Sequence, residues 1–124
     1  MIQDNKTGFN DVFRERTKNL ALAVIKLSEI LKKSEGSRII GKQVLRSATS
    51  VAANFRAACR ARSAAEYYSK LCIVIEECDE TLFWFELIES AGFIKSEQLK
   101  ELITETYKLL AVFAKTRKTL KSKK

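Results

Sequence analysis

The 124 residues contain no histidine, no proline and only four glycines. Without histidine the chain lacks the commonest general base and metal ligand near neutral pH. It also lacks the Glu-x-x-His ligands of a ferritin-like di-iron bundle. A β-rich chain of this length would need many tight turns and would spend both proline and glycine on them, so long helices are favoured. No apolar run approaches the ~18–20 residues of a membrane-spanning helix, and no membrane partner is expected. The opening MIQDNKTGFND has no apolar core of the signal-peptide kind, which makes a cytoplasmic location the expectation. Cysteine is limited to Cys59, Cys72 and Cys78, an odd number without CxxC spacing, all at apolar helical positions. Buried, reduced thiols are therefore expected rather than a disulfide or a structural zinc.

What the chain does have is a hydrophobic content of 46% beside a charged content of 31%, the balance of one globular domain. Its net charge of +8 is unevenly spread. Residues 37–62 carry Arg38, Lys42, Arg46, Arg56, Arg60 and Arg62 and no acid. Residues 63–92 carry Glu66, Glu76, Glu77, Asp79, Glu80, Glu86 and Glu89 against a lone Lys70. Residues 108–124 are again purely basic, with Lys115, Arg117, Lys118 and Lys121 among them. Blocks of this kind predict complementary helix faces and a basic tail, and they suit an anionic partner.

Apolar positions spaced alternately by three and four define four amphipathic helices. The first is expected over about 10–33, on the seam Phe13, Thr17, Leu20, Val24, Leu27 and Leu31, with Gly36 ending it. The second is expected over 38–62, on Val44, Ala48, Val51, Phe55 and Ala58, and its many alanines favour close approach by neighbours. Ser63 and Glu66 form a capping-box pattern that opens a third helix over 64–91, which Gly92 closes. Its seam is Tyr67, Leu71, Val74, Cys78, Leu82 and Phe85. Ser96 caps a fourth over 97–120, followed by the basic tail 121–124. The fold expected is all-α, an antiparallel up-down-up-down four-helix bundle of one domain.

Reactive groupings are scarce. No phosphate-binding glycine loop or nucleophile elbow is present. Ser47 and Ser50 have no base beside them, so helix–helix hydrogen bonding is the better reading. Glu76 and Glu80, one turn apart, suit arginine partners better than a carboxylate-only cation site. No enzyme activity, cofactor or metal is expected. Arg56, Arg60 and Arg62, nearest the turn, are expected to pair with Glu76, Glu77 and Glu80. Arg38, Lys42, Arg46, Lys115, Arg117, Lys118 and Lys121 are the candidate nucleic-acid contacts. The consecutive aromatics Phe83, Trp84 and Phe85 cover more than one helix face, and one core cannot take all three. Tyr68, Cys72, Phe83 and Trp84 are therefore expected at a subunit interface.

The run QVLRSATSVAANFRAACRARSAAEYYSKLCIVIEECDETLFWFELI and the earlier FRERTKNLALAVIKLSEIL resemble the 23S rRNA-intervening-sequence protein family over roughly residues 9–115. The central pattern is Arg46-Ser47, Ser50, Asn54, the run Arg56–Ser63, Lys70, Glu77, Glu80 and Trp84. Phe85 and Ile88 stand where leucines are more usual in that family. The resemblance implies an antiparallel four-helix bundle, a ring-shaped assembly that is typically a homopentamer, and a bacterial source. Related accessory proteins of diversity-generating retroelements look similar in fold and are basic pentamers that bind a reverse transcriptase and nucleic acid. The family has no settled biochemical activity. The expectation is a non-enzymatic homo-oligomer that binds RNA or DNA through basic surfaces; the alternative is a scaffold or adaptor that binds a partner protein.

Overall fold

Four helices account for most of the chain, and their boundaries follow from local capping chemistry. They are α1 (Ile2–Ile30), α2 (Glu35–Cys59), α3 (Ala64–Ala91) and α4 (Ser96–Ser122). The structure, a computed structural model, describes residues 2–122, with side chains from residue 8 to residue 121. No strand occurs among the described residues.

The α1–α2 connection differs from the expectation. Helix α1 begins at Ile2, well before residue 10, and ends at Ile30 rather than near 33. Ser34 then caps α2: its hydroxyl accepts from the Ser37 N–H while the Ser37 hydroxyl accepts from the Ser34 N–H. This reciprocal pair satisfies two orphan donors with two serines, where the more familiar box uses an acid. Gly36 therefore lies in the first turn of α2 and does not terminate α1. The second helix stops at Cys59 instead of 62, with the Arg60 N–H folding back to Ala57 and Ala58 carbonyls. In α3 both ends fall as expected: Ser63 accepts from the Glu66 N–H at 3.1 Å, and Gly92 closes it at φ 72°. That left-handed turn carries no Cβ penalty for glycine. Helix α4 includes Ser96 as its first residue and runs through Lys121 to Ser122; Lys123 and Lys124, the end of the expected tail, lie outside the described residues.

Consecutive helices pack side by side and antiparallel, with α2–α3 the closest pair and the α1–α4 seam the loosest. The predicted seams form the core. Leu20, Val24, Leu27 and Leu31 from α1 meet Val44, Ala48, Val51 and Phe55 from α2. Leu71, Val74, Cys78, Phe85 and Ile88 from α3, with Leu99, Leu109 and Phe113 from α4, complete it. Phe85 and Ile88 are fully buried. Hydroxyls within the seams stay satisfied on their own helices: Thr17 donates to the Phe13 carbonyl at 2.8 Å and Thr106 to the Leu102 carbonyl at 2.7 Å. Gly41 lets α2 pass close to the end of α1, since a Cβ there would lie 3.1 Å from that of Leu31. Among the described residues no helix is long and apolar enough to cross a membrane.

Candidate functional site

Alternating helix directions bring the start of α1, the α2–α3 turn and the end of α4 to one end of the bundle. The aromatic core fixes the levels. Phe55 and Phe113 have ring centroids 5.0 Å apart, and Phe13 and Phe113 5.7 Å, so the last turns of α2 and α4 flank the early turns of α1. The two acid-free basic blocks, far apart in sequence, therefore meet. Arg56, Arg60 and Arg62 arrive on α2 and its turn, and Lys115, Arg117, Lys118 and Lys121 arrive on α4. All are exposed except Arg117, which is half-buried. Arg14 and Lys18 of α1 join them. The nearby acids are few, and two are engaged: Asp11 pairs with Arg14, and Glu66 with Arg62 at 3.4 Å. Arg38 and Lys42 lie towards the opposite end of α2, and the Arg38 guanidinium donates to the Lys32 carbonyl at 3.4 Å.

An open groove of roughly 850 Å³ runs along the α1–α2 face. Thr49, Ala52 and Ala53 floor it, and Arg14, Lys18, Arg56 and Arg60 line it together with Asp11 and Glu15.

The charge pairing across the α2–α3 hairpin corrects the expected one. Arg56 and Arg60 form no ion pair with Glu76, Glu77 or Glu80, nor with any other acid among the described residues. Arg62 pairs instead with Glu66, which also accepts the Arg62 backbone N–H at 2.8 Å. The reason is register. An antiparallel pair folded about residues 60–63 sets position 46 opposite 77–80, while 56 and 60 fall opposite the first turn of α3. Arg46 therefore takes both acids, Glu77 at 3.2 Å and Glu80 in a closer contact. The Trp84 indole N–H donates to the same Glu80 carboxylate at 3.1 Å. That indole bond first, and Arg46 next, hold the Glu80 carboxyl below the usual carboxylate range. The bonds it donates to Glu80 and then to Glu77 raise the Arg46 guanidinium. Arg46, a candidate nucleic-acid contact from its sequence position, is thus committed inside the hairpin.

The three consecutive aromatics divide as helix geometry requires. Phe85 is buried, Trp84 is half-buried against the core, and Phe83 is 49% exposed, edge-on to Trp84 at 5.0 Å. Tyr68 and Cys72 are half-buried. On the outward side of α3, Cys72, Glu76, Asp79, Phe83 and Glu86 follow one another at spacings of four, three, four and three, a single stripe.

The ion pair that joins α1 to α4 has no counterpart in the sequence expectations. Arg16 grips Glu105 through two bonds of 2.9 and 2.8 Å and lies 4.8 Å over the Phe13 ring. This bidentate fork closes the loose α1–α4 seam, and the bonds to Glu105 raise the Arg16 guanidinium. Its only sequence signal is that each partner sits one residue before a seam threonine, Thr17 and Thr106. Chemically reactive arrangements are few. Burial pushes the Cys78 thiol and the Tyr67 phenol up to about 12. Thr81 and Ser47 hydroxyls bond each other at 2.9 Å in the core. No group of three or more Cys, Asp or Glu side chains placed to hold a metal ion occurs among the described residues.

Fold and surface together define a small four-helix protein whose charge is sorted onto one end and separate faces. The family model of the 23S rRNA-intervening sequence protein matches residues 11–115, and the chain belongs to that family. Among solved structures it is similar to a protein of unknown function from the S23 ribosomal protein family of Bacteroides thetaiotaomicron VPI-5482. The two are 28% identical with a TM-score of 0.82, over 88% of this chain and 97% of that one. Among curated proteins, none matches.

Proposed function

We propose that this protein is a non-enzymatic homo-oligomer, a pentameric ring in the form its family resemblance implies, that binds RNA or DNA at the basic end of the bundle in the bacterial cytoplasm. The observation that carries the reading is the convergence of the two acid-free basic blocks, Arg56–Arg62 and Lys115–Lys121, at one end. Clustered surface cations displace counterions from a phosphate backbone, which gives affinity without base-specific contacts. A protein-binding scaffold is the alternative, and the same experiment separates the two.

The test is fluorescence anisotropy with a 5′-labelled single-stranded RNA and the matching DNA, titrated at several salt concentrations. The expected result is a dissociation constant below about 10 µM at 50 mM salt, with log K falling linearly as log salt rises. Lys118→Ala/Lys121→Ala should lower the salt slope by roughly 0.7 for each single-strand phosphate that these lysines neutralise. Lys95→Ala/Lys100→Ala, at the opposite end, should leave it unchanged. An absence of salt-dependent binding would overturn the reading in favour of the scaffold. Equal effects of the two double variants would remove the basic end as the binding surface.

A further inference from the structure

We propose that the α1–α2 groove receives the outer stripe of α3 from a second copy of this chain. The inference rests on the self-assembly part of the reading above; it assigns Arg56 and Arg60 to the contact between copies and leaves the α4 bases, Lys115 to Lys121, for nucleic acid.

The outer face of α3 is acidic and unused within the monomer. Glu76, Asp79 and Glu86 are exposed, and none forms an ion pair among the described residues. Their neighbours Glu77 and Glu80 turn inward to Arg46, so the hairpin consumes only one face of the acidic block. In the middle of the free stripe stands Phe83, 49% exposed. An aromatic of this size left in water on a regular helix face is a characteristic interface residue.

The α1–α2 face carries more bases than acids around an apolar centre: Arg14 takes up Asp11, which leaves Glu15 against Lys18, Arg56 and Arg60 in the groove lining. On α1, Asp11, Glu15, Lys18, Leu22 and Ile25 share one side at spacings of four, three, four and three. Leu22 is 47% and Ile25 42% exposed, an apolar pair that α2 does not cover. Antiparallel pairing sets them beside Leu45, Thr49 and Ala52 of α2. The alanine floor allows a third helix to approach closely. Cations stand on both sides of this apolar centre: Lys18, Arg56 and Arg60 towards the basic end, Lys42 towards the other. Lys18, Lys42, Arg56 and Arg60 form no ion pair among the described residues.

The two surfaces match in pattern as well as in sign. Along α3 the acids lie about 5–11 Å from Phe83 on either side, at 1.5 Å per residue. Along α2 the cations lie within about 6–16 Å of the Thr49–Ala52 level by the same measure. An aromatic flanked by acids thus faces an apolar floor flanked by bases. Because groove and stripe are different parts of the surface, one copy offers its stripe while its own groove takes the next. Such a head-to-tail contact closes into a ring when the rotation per copy permits.

Light scattering at micromolar protein, with circular dichroism as the control for folding, tests the pairing. The variants are Arg56→Glu/Arg60→Glu in the groove, Glu76→Lys/Asp79→Lys/Glu86→Lys in the stripe, and one chain carrying all five changes. Each single-face variant should fall to the 14.1 kDa of one chain with helicity retained, and the combined chain should regain the wild-type mass. Wild-type mass in both single-face variants would place the interface elsewhere and leave self-assembly standing. A combined chain that stays at one-chain mass would break the pairing between these two faces. A wild-type protein of one-chain mass would remove self-assembly and this interface together.

Discussion

The Ser47–Thr81 pair joins α2 to α3 in the core and allows a quantitative test of the hairpin register. Both side chains are fully buried. Three short contacts involve their two hydroxyls: Thr81 to Ser47 at 2.9 Å, Thr81 to the Glu77 carbonyl at 2.7 Å, and Ser47 to the Val44 carbonyl at 3.2 Å. Two hydroxyl protons can serve only two of them at once. One hydroxyl therefore donates across the helices while the other donates to its own backbone. Each keeps a carbonyl to fall back on, so removing either partner leaves no buried donor stranded. Thr81→Val preserves the side-chain shape and should cost about 1 kcal/mol, the net worth of one neutral hydrogen bond. Ser47→Ala should cost a similar amount. The double variant should be milder than the sum by roughly 0.5–1 kcal/mol, the coupling expected of residues in contact. Urea unfolding at fixed protein concentration reads these values from the shift of the midpoint, and fixing the concentration removes any contribution from assembly. A cost of about 3 kcal/mol or more for Thr81→Val would refute the fallback by showing a stranded donor. A coupling of zero would show that the two hydroxyls do not bond.

Two further predictions concern glycine positions and pH. Gly41→Ala would set a Cβ 3.1 Å from that of the fully buried Leu31, so overpacking of about 1–3 kcal/mol should outweigh a helix-propensity gain of about 1 kcal/mol. Gly36→Ala meets only the Phe93 ring at an ordinary 3.6 Å and should be neutral or stabilising; equal melting shifts for the two variants would sink the reasoning. The Glu80 carboxyl is held low by the Trp84 indole and Arg46, and the Glu66 carboxyl by the Arg62 backbone N–H, so both release their protons more readily when folded. Their stabilisation is complete above the ordinary carboxylate range and is lost as pH falls from that range through the lowered value of the folded state. The Cys78 thiol has the opposite sense: the unfolded chain ionises near 9.0 and the folded one near about 12, so stability falls as pH rises across that window. Urea midpoints measured across pH should decline at both extremes, and the alkaline decline should flatten in Cys78→Ala.

The parts of the fold that were legible in the sequence are those written into single residues or short repeats. Ser63 and Gly92 bound α3 because a cap hydroxyl and a left-handed glycine act locally. The seams from Leu20 to Leu31 and from Val44 to Ala58 are legible because burial repeats with the helix period. The α1–α2 connection was not, because Gly36 reads as a terminator until the Ser34–Ser37 box places it inside α2. Pairings depended on information no local pattern holds. Once the turn is centred near residues 60–63, Arg46 must face Glu77 and Glu80, but a cation near the turn looks the nearer partner in the linear chain. Arg16 and Glu105 are 89 positions apart and meet only because α1 and α4 close the square. The split of Phe83, Trp84 and Phe85 between solvent, flank and core follows from their 100° steps around the helix; which of them faces out is set by the other helices.

An even number of alternating helices has a practical consequence for handling the protein. Helix α1 begins and α4 ends beside the α2–α3 turn, so a tag or fluorophore fused at either terminus would crowd the cationic end. A polyhistidine tag there would add cationic groups of its own as it protonates, and an acidic tag would imitate the anion under study. The α3–α4 turn around Gly92–Lys95 lies at the far end, some 40 Å away by helix length. A reporter placed in that turn would leave the cationic end as the native chain presents it.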